Sequence, residues 1–97
     1  MAPQVMYALF NDPLKEHKAI DNSGCQEIVD LGNGTVAFKT LNGRYVSQVQ
    51  DERGEFEEVD SIGPNTIFAR DGNLVTSWVP VGNGPIFTYI LLPLVNG

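Results

Sequence analysis

The chain predicts an all-β fold, a small barrel or sandwich of about seven or eight short antiparallel strands. Two observations carry that expectation. Four Asx-Gly dipeptides, Asn33-Gly34, Asn42-Gly43, Asp71-Gly72 and Asn83-Gly84, each sit between apolar runs. Asn-Gly and Asp-Gly suit a two-residue type I′ turn, whose central positions both need φ > 0. Between these tips the apolar residues recur with the two-residue period of a strand, and the 3.6-residue helical period is nowhere sustained. A separate feature concerns charge and bears on function: from Gly72 to Gly97 there is no Asp, Glu, Lys or Arg.

Each element follows from its residues. Val5 to Phe10 is an apolar run of strand length. Asp12-Pro13 reads as an N-cap with Pro at the first helical position, so a short helical turn is expected over Leu14 to Lys18. Asp21 to Gly24 has the composition of a loop. Glu27 to Leu31 is a short strand. Thr35 to Leu41 alternates, with Val36, Phe38 and Thr40 on one face and Ala37, Lys39 and Leu41 on the other. Arg44 to Gln50 follows, then an acidic strand over Phe56 to Val59 and a turn over Ser61 to Asn65. Thr66 to Arg70, Leu74 to Val81 and Ile86 to Val95 complete the set.

A length of 97 residues fits one domain, 1–97. A core of that size is modest, and disulfides, metals or oligomerisation usually reinforce such folds. Cys25 is the single cysteine, so no disulfide forms within one chain, and it reads as a small buried or half-buried thiol. The net charge of −6, with 12 acids against 6 bases, argues against a nucleic-acid partner. No secretory signal is visible in Met1 to Phe10, and no apolar stretch reaches the roughly 20 residues of a membrane span. The expectation is a soluble chain with no membrane partner, consistent with intracellular synthesis or a virion component. Asn33-Gly34-Thr35 fits the glycosylation sequon but reads more simply as a turn entering a strand.

The stretch from Gly34 to Phe68 resembles a fascin-like β-trefoil repeat. An apolar strand with Phe38 leads into Asn42-Gly43-Arg44-Tyr45-Val46-Ser47, which matches that family's NG-[KR]-[YF]-[VL]-[SC] hairpin. Ile62-Gly63-Pro64 and Phe68 match the closing IGPWETF-like phrase, with Asn65 where that phrase carries Trp. The resemblance covers roughly a third of the chain, and a full trefoil needs three such units. It implies either a reduced trefoil-like barrel or another small barrel or sandwich sharing one hairpin pattern, with protein or carbohydrate ligands. Tyr45 and Trp78 are then the aromatic candidates for ligand contact.

Residues 51–60 (DERGEFEEVD) hold six acids and one base. They lack the D-x-[DN]-x-[DN]-G spacing of a calcium loop and read as a solvated hairpin tip. The other reading is an acidic patch for a basic partner, with Glu55, Glu57 and Glu58 beside Tyr45. His17, the only histidine, lies in a polar segment. No nucleophile elbow, paired metal-spaced histidines or phosphate-cradling glycine loop appears, so neither catalysis nor a cofactor is expected.

The charge-free C-terminal quarter carries the functional expectation. In Ile86 to Leu92 both strand parities are apolar, Ile86, Ile90 and Leu92 on one and Phe87, Tyr89 and Leu91 on the other. A strand with one wet face should carry polar residues on it, and an edge strand is usually defended by charge. The expectation is therefore a structural or assembly subunit, such as a particle component. A homo-oligomer or larger assembly would use Trp78, Ile86, Phe87, Tyr89 and Leu91 as its contact surface. The alternatives are a central hairpin buried within a monomer, or a stand-alone binding module.

Overall fold

Among the described residues eight strands, numbered in chain order, build one curled antiparallel sheet, a half-barrel. The computed structural model describes residues 6–10, 20, 22–49, 55–78 and 87–93. The strands are β1 (Tyr7–Phe10), β2 (Glu27–Gly32), β3 (Thr35–Lys39), β4 (Tyr45–Gln48), β5 (Phe56–Val59), β6 (Phe68–Asp71), β7 (Leu74–Ser77) and β8 (Thr88–Pro93). The order across the sheet is β1-β8-β7-β6-β3-β4-β5, with β2 also paired to β3. The fold class expected from the alternation and the turn dipeptides is the one found. Among the described residues no helix is long and apolar enough to cross a membrane. The short helical turn expected over Leu14 to Lys18, His17 and the Asn83-Gly84 tip lie outside the described residues.

The turns differ from one another in ways that trace to single residues. Asn33 (φ 54) and Gly34 (φ 78) both take the left-handed region, so the β2–β3 tip is the type I′ turn its sequence predicts. Asn42 does not, since Gly43 alone is left-handed in its loop. The Gly43 N–H donates to the Thr40 carbonyl at 3.1 Å and the Thr40 N–H to the Arg44 carbonyl at 2.8 Å, which makes a three-residue loop ending in a left-handed glycine. The Thr40 hydroxyl supports that geometry by accepting from the N–H groups of Asn42 (3.2 Å) and Arg44 (3.3 Å). At the third tip Asp71 is still paired, opposite Leu74. The turn is therefore Gly72-Asn73, with positive φ at its first residue only, as in a II′ turn.

The concave face of the sheet holds the core. Leu9, Val36, Phe38, Val46, Phe56, Phe68, Val75, Tyr89 and Leu91 are buried there, with Cys25 among them. Aromatic rings run through it in a chain: Phe38 to Phe68 at 5.2 Å, Phe68 to Phe56 at 6.0 Å, Phe56 to Tyr89 at 5.0 Å, and Tyr89 to Phe87 at 6.3 Å between centroids. Tilted and edge-on pairs at these spacings contribute roughly 0.5–1.5 kcal/mol each beyond the area they bury. They tie β3, β6, β5 and β8 together across the bowl. The closing phrase of the repeat-like stretch folds as a single 3-10 turn, Pro64–Thr66. There the buried Thr66 hydroxyl accepts from the Gly63 N–H and bonds back to the Gly63 carbonyl, both at 2.9 Å.

The β1 side of the sheet is closed by the segment before β2. The N–H groups of Met6 and Tyr7 reach the Cys25 carbonyl, and the Cys25 N–H reaches the Tyr7 carbonyl. Further along, the Ile20 N–H donates to the Leu9 carbonyl at 2.9 Å. The Leu9 N–H donates to the buried Ser23 hydroxyl at 3.2 Å, and that hydroxyl donates to the Ile20 carbonyl at 2.6 Å. The main chain of β1 is thereby satisfied on both sides.

Candidate functional site

The sheet has a convex side as well, and its chemistry is unusual over β6, β7, β8 and β1. Side chains alternate across a strand, so the residues between the core positions point outward. Register then sets them in rows. Leu74 lies opposite Ile90, and Ile90 lies opposite Phe10, an apolar row across three strands. The next row pairs Leu92 with Ala8. On the other side Thr76 stands between Thr88 and Ala69. Beyond it the Trp78 N–H donates to the Ile67 carbonyl at 3.2 Å and brings those two residues together. Asp71, opposite Leu74, is the charge at the margin of this face.

The face is open to water at Trp78 and Leu74, while Ala8 on β1 is buried. Trp78 is 53% exposed and Leu74 49%. Phe10, Ile67, Ile90 and Leu92 are each partly exposed. Large apolar side chains gathered in adjacent rows, with two of them half in water, mark a contact surface more than scattered singles do.

The sequence-predicted contact residues divide between the two sides. Trp78 stands on the convex face, as a contact residue must. Tyr89 (3%) and Leu91 (4%) do not, because they point into the chain's own core and offer no surface to a neighbour. Phe87 is half-buried, stacked beside Tyr89 and packed on the core. Ile86 lies outside the described residues. The expectation that the C-terminal hairpin is an undefended edge is also corrected. Both β7 and β8 are interior strands, flanked by β6 and β1, so their backbone needs no charged guard. Leu74, Ile90 and Phe10, which the expected contact set left out, lie on the outward parity of their strands. The signal was present in the alternation, but both parities are apolar, and only the register says which turns inward.

The acidic candidates gather at the far end of the sheet, on and around β5. Glu57 is exposed and Glu58 partly so. Glu58 accepts from the Asn42 carboxamide at 3.2 Å. Hydrogen bonding from the Thr40 hydroxyl first, then from Asn42, holds the Glu58 carboxyl below its ordinary range, with a smaller contribution from the Arg44 charge. Asp60 pairs with Arg44 at 2.9 Å. Tyr45 is half-buried on β4, opposite Lys39 and Val59. The Asn22 carboxamide donates to the Phe56 carbonyl at 3.3 Å, on the side of β5 away from β4. Asn22, Gly24, Thr40, Leu41, Asn42 and Glu58 together line an open cleft of about 190 Å³.

Cys25 is fully buried, and burial pushes its thiol pKa up to about 12. It stays protonated and unreactive at neutral pH. Among the described residues no group of three or more His, Cys, Asp or Glu side chains converges as metal ligands do.

No protein-family model, curated protein or solved structure matches the chain.

Proposed function

We propose that this chain is a structural subunit that assembles with copies of itself through the convex face of β6, β7, β8 and β1. The Leu74–Ile90–Phe10 row, with half-exposed Trp78 on the same face, carries the reading. The occupant is a second copy. A two-fold contact sets the same rows against themselves, as two sheet faces stack in a sandwich at about 10 Å. Such a contact adds a second layer to a chain whose own core is small, a reinforcement that disulfides do not supply here. Light-scattering mass over a hundredfold range of concentration tests it. A dimer or larger species that gives way to monomer on dilution supports the proposal; a monomer at every concentration ends it.

A second reading is supported by the cleft beside β5. It joins a carboxylate, two carboxamides and a hydroxyl to the apolar Leu41, on the hairpin that carries the trefoil-like pattern. Those groups are the donors and acceptors that bind sugar hydroxyls. Binding on a glycan array that Asn42→Ala abolishes would favour a carbohydrate-binding module; silence on the array removes it.

A further inference from the structure

The opposite rim of the bowl holds a second cleft, of about 300 Å³, lined by Ile28, Asp30, Gly34, Thr35, Val36 and Arg70. Two charges occupy inward positions there. Asp30 lies opposite the core residue Val36, and Arg70 lies opposite the core residue Val75. Inward sites of a small curled sheet are normally filled by apolar side chains. We propose that this cleft binds a small zwitterion of the amino-acid class, its ammonium at Asp30 and its carboxylate at Arg70.

The geometry gives four reasons. First, both side chains are anchored in place by backbone. Asp30 Oδ1 accepts from the Gly32 N–H at 2.9 Å, across a bulge at Leu31. Arg70 Nε donates to the Gly72 carbonyl at 2.9 Å. Each anchor uses one polar atom and leaves the second carboxylate oxygen and the two terminal guanidinium nitrogens for a ligand. Second, the acid and the base share one cleft and do not pair with each other; the ion pair among the described residues is Arg44 with Asp60. Opposite charges held apart match a molecule that carries both. A simple anion drawn to Arg70 meets repulsion from Asp30, and a simple cation meets the reverse. Third, Ile28 and Val36 supply an apolar wall for the carbon chain between the two ends. Fourth, the rim is preformed. The Arg70 N–H donates to the Gly34 carbonyl at 2.9 Å and locks β6 to the β2–β3 tip, so binding orders little that is not already ordered.

The cleft is open at the rim, and its volume gives the size of guest it can seat. At about 30 Å³ per water-sized group, it holds roughly ten non-hydrogen atoms. Both charged groups are exposed at the rim, so screening keeps the dissociation constant at about millimolar.

The test uses the full chain, labelled with nitrogen-15, and a series of probes: glycine, 4-aminobutyrate and 6-aminohexanoate, with butyrate and butylamine as half-ligands. At least one zwitterion should shift the amides of residues 28–36 and 70–72 saturably, about tenfold more tightly than either half-ligand. Asp30→Asn keeps the Oδ1 contact to Gly32 and removes the charge; it should weaken that zwitterion about tenfold, as should Arg70→Gln. Thermal unfolding of both variants confirms that the fold is kept. No saturable shift from any zwitterion up to about 50 mM, well above the millimolar affinity expected, overturns the proposal. So does equal binding of the half-ligands, or undiminished binding by the two charge-removed variants.

Discussion

If copies associate through the convex face as proposed, replacing Trp78 by Ala should weaken that association far more than it unfolds the chain. Trp78 is 53% exposed in one protomer. An aromatic residue of this kind buries about 150–250 Å² when fully covered, so roughly 100 Å² remains open for a neighbour to cover. At about 25 cal/mol per Å², that area is worth roughly 2.5 kcal/mol per protomer, or about 5 kcal/mol across a two-fold contact. Buried area converts incompletely into affinity, and taking half gives about 2.5 kcal/mol, close to two orders of magnitude in the dissociation constant. Sedimentation equilibrium of wild type and variant measures this directly. The contrast is Leu91→Ala, on the buried side of β8, which should cost about 2–5 kcal/mol of unfolding free energy. It makes no contact with the neighbour, so association of its folded form should stay near wild type. A Trp78→Ala protein that associates as tightly as wild type would refute the assignment of this face.

Three further outcomes follow from the packing. Ser23→Ala should lower unfolding free energy by about 1–3 kcal/mol in urea, because the buried Leu9 N–H loses its acceptor; an unchanged midpoint would show that water replaces the hydroxyl. Glu58 has a depressed carboxyl pKa in the folded state, so its stabilisation is present above the unfolded value of 4.5 and is lost as pH falls through the folded value. Thr40→Val, which removes the largest cause of that shift, should flatten the acid limb of a stability–pH curve; an unaltered limb would exclude Glu58 as its source. Alkylation of Cys25 by iodoacetamide should be slow in the folded protein and accelerate with denaturant, since a buried thiol with a pKa of about 12 reacts only after opening. Rapid labelling under native conditions would contradict that burial.

Strand positions were legible because the two-residue period and the glycine-marked tips are local signals: each described strand falls on a predicted run, with β2 and β6 extending one residue past it, to Gly32 and Asp71. Turn type was only partly legible. Asn33-Gly34 behaves as its dipeptide predicts, but the Thr40 hydroxyl draws the next loop into three residues, and pairing of Asp71 with Leu74 moves the third tip on by one. Those outcomes depend on neighbours that composition does not reveal. The candidate site was legible in kind and not in membership. A charge-free tail with two apolar parities announces one surface too many, yet nothing local says that Tyr89 turns inward and Ile90 outward. The meeting of Asp30 with Arg70 was invisible for a similar reason. It depends on the bulge at Leu31 and on the register that sets β6 against β3.

If copies of the chain associate as proposed, the way this sheet ends favours a face over an edge as their contact. At β1 the backbone is already taken up by Ile20, Ser23 and Cys25, so no added strand finds donors there. At β5, the other end, Glu57 is exposed, and the Asn22 carboxamide covers the Phe56 carbonyl. A second copy approaching edge to edge brings like carboxylates together, in a chain whose net charge is already −6. The convex face of β6, β7, β8 and β1 has the opposite character. Its charge is confined to Asp71 at the margin, so two copies meet there with little repulsion and cover Trp78 and Leu74. With β1 closed, the edge contact left at the ends of the sheet is β5 against β5, which sets the Glu57 carboxylates of two copies together, whereas a two-fold contact between faces closes without that repulsion. Charge placed on the edge and withheld from the face therefore favours the face over the edge for the proposed self-contact.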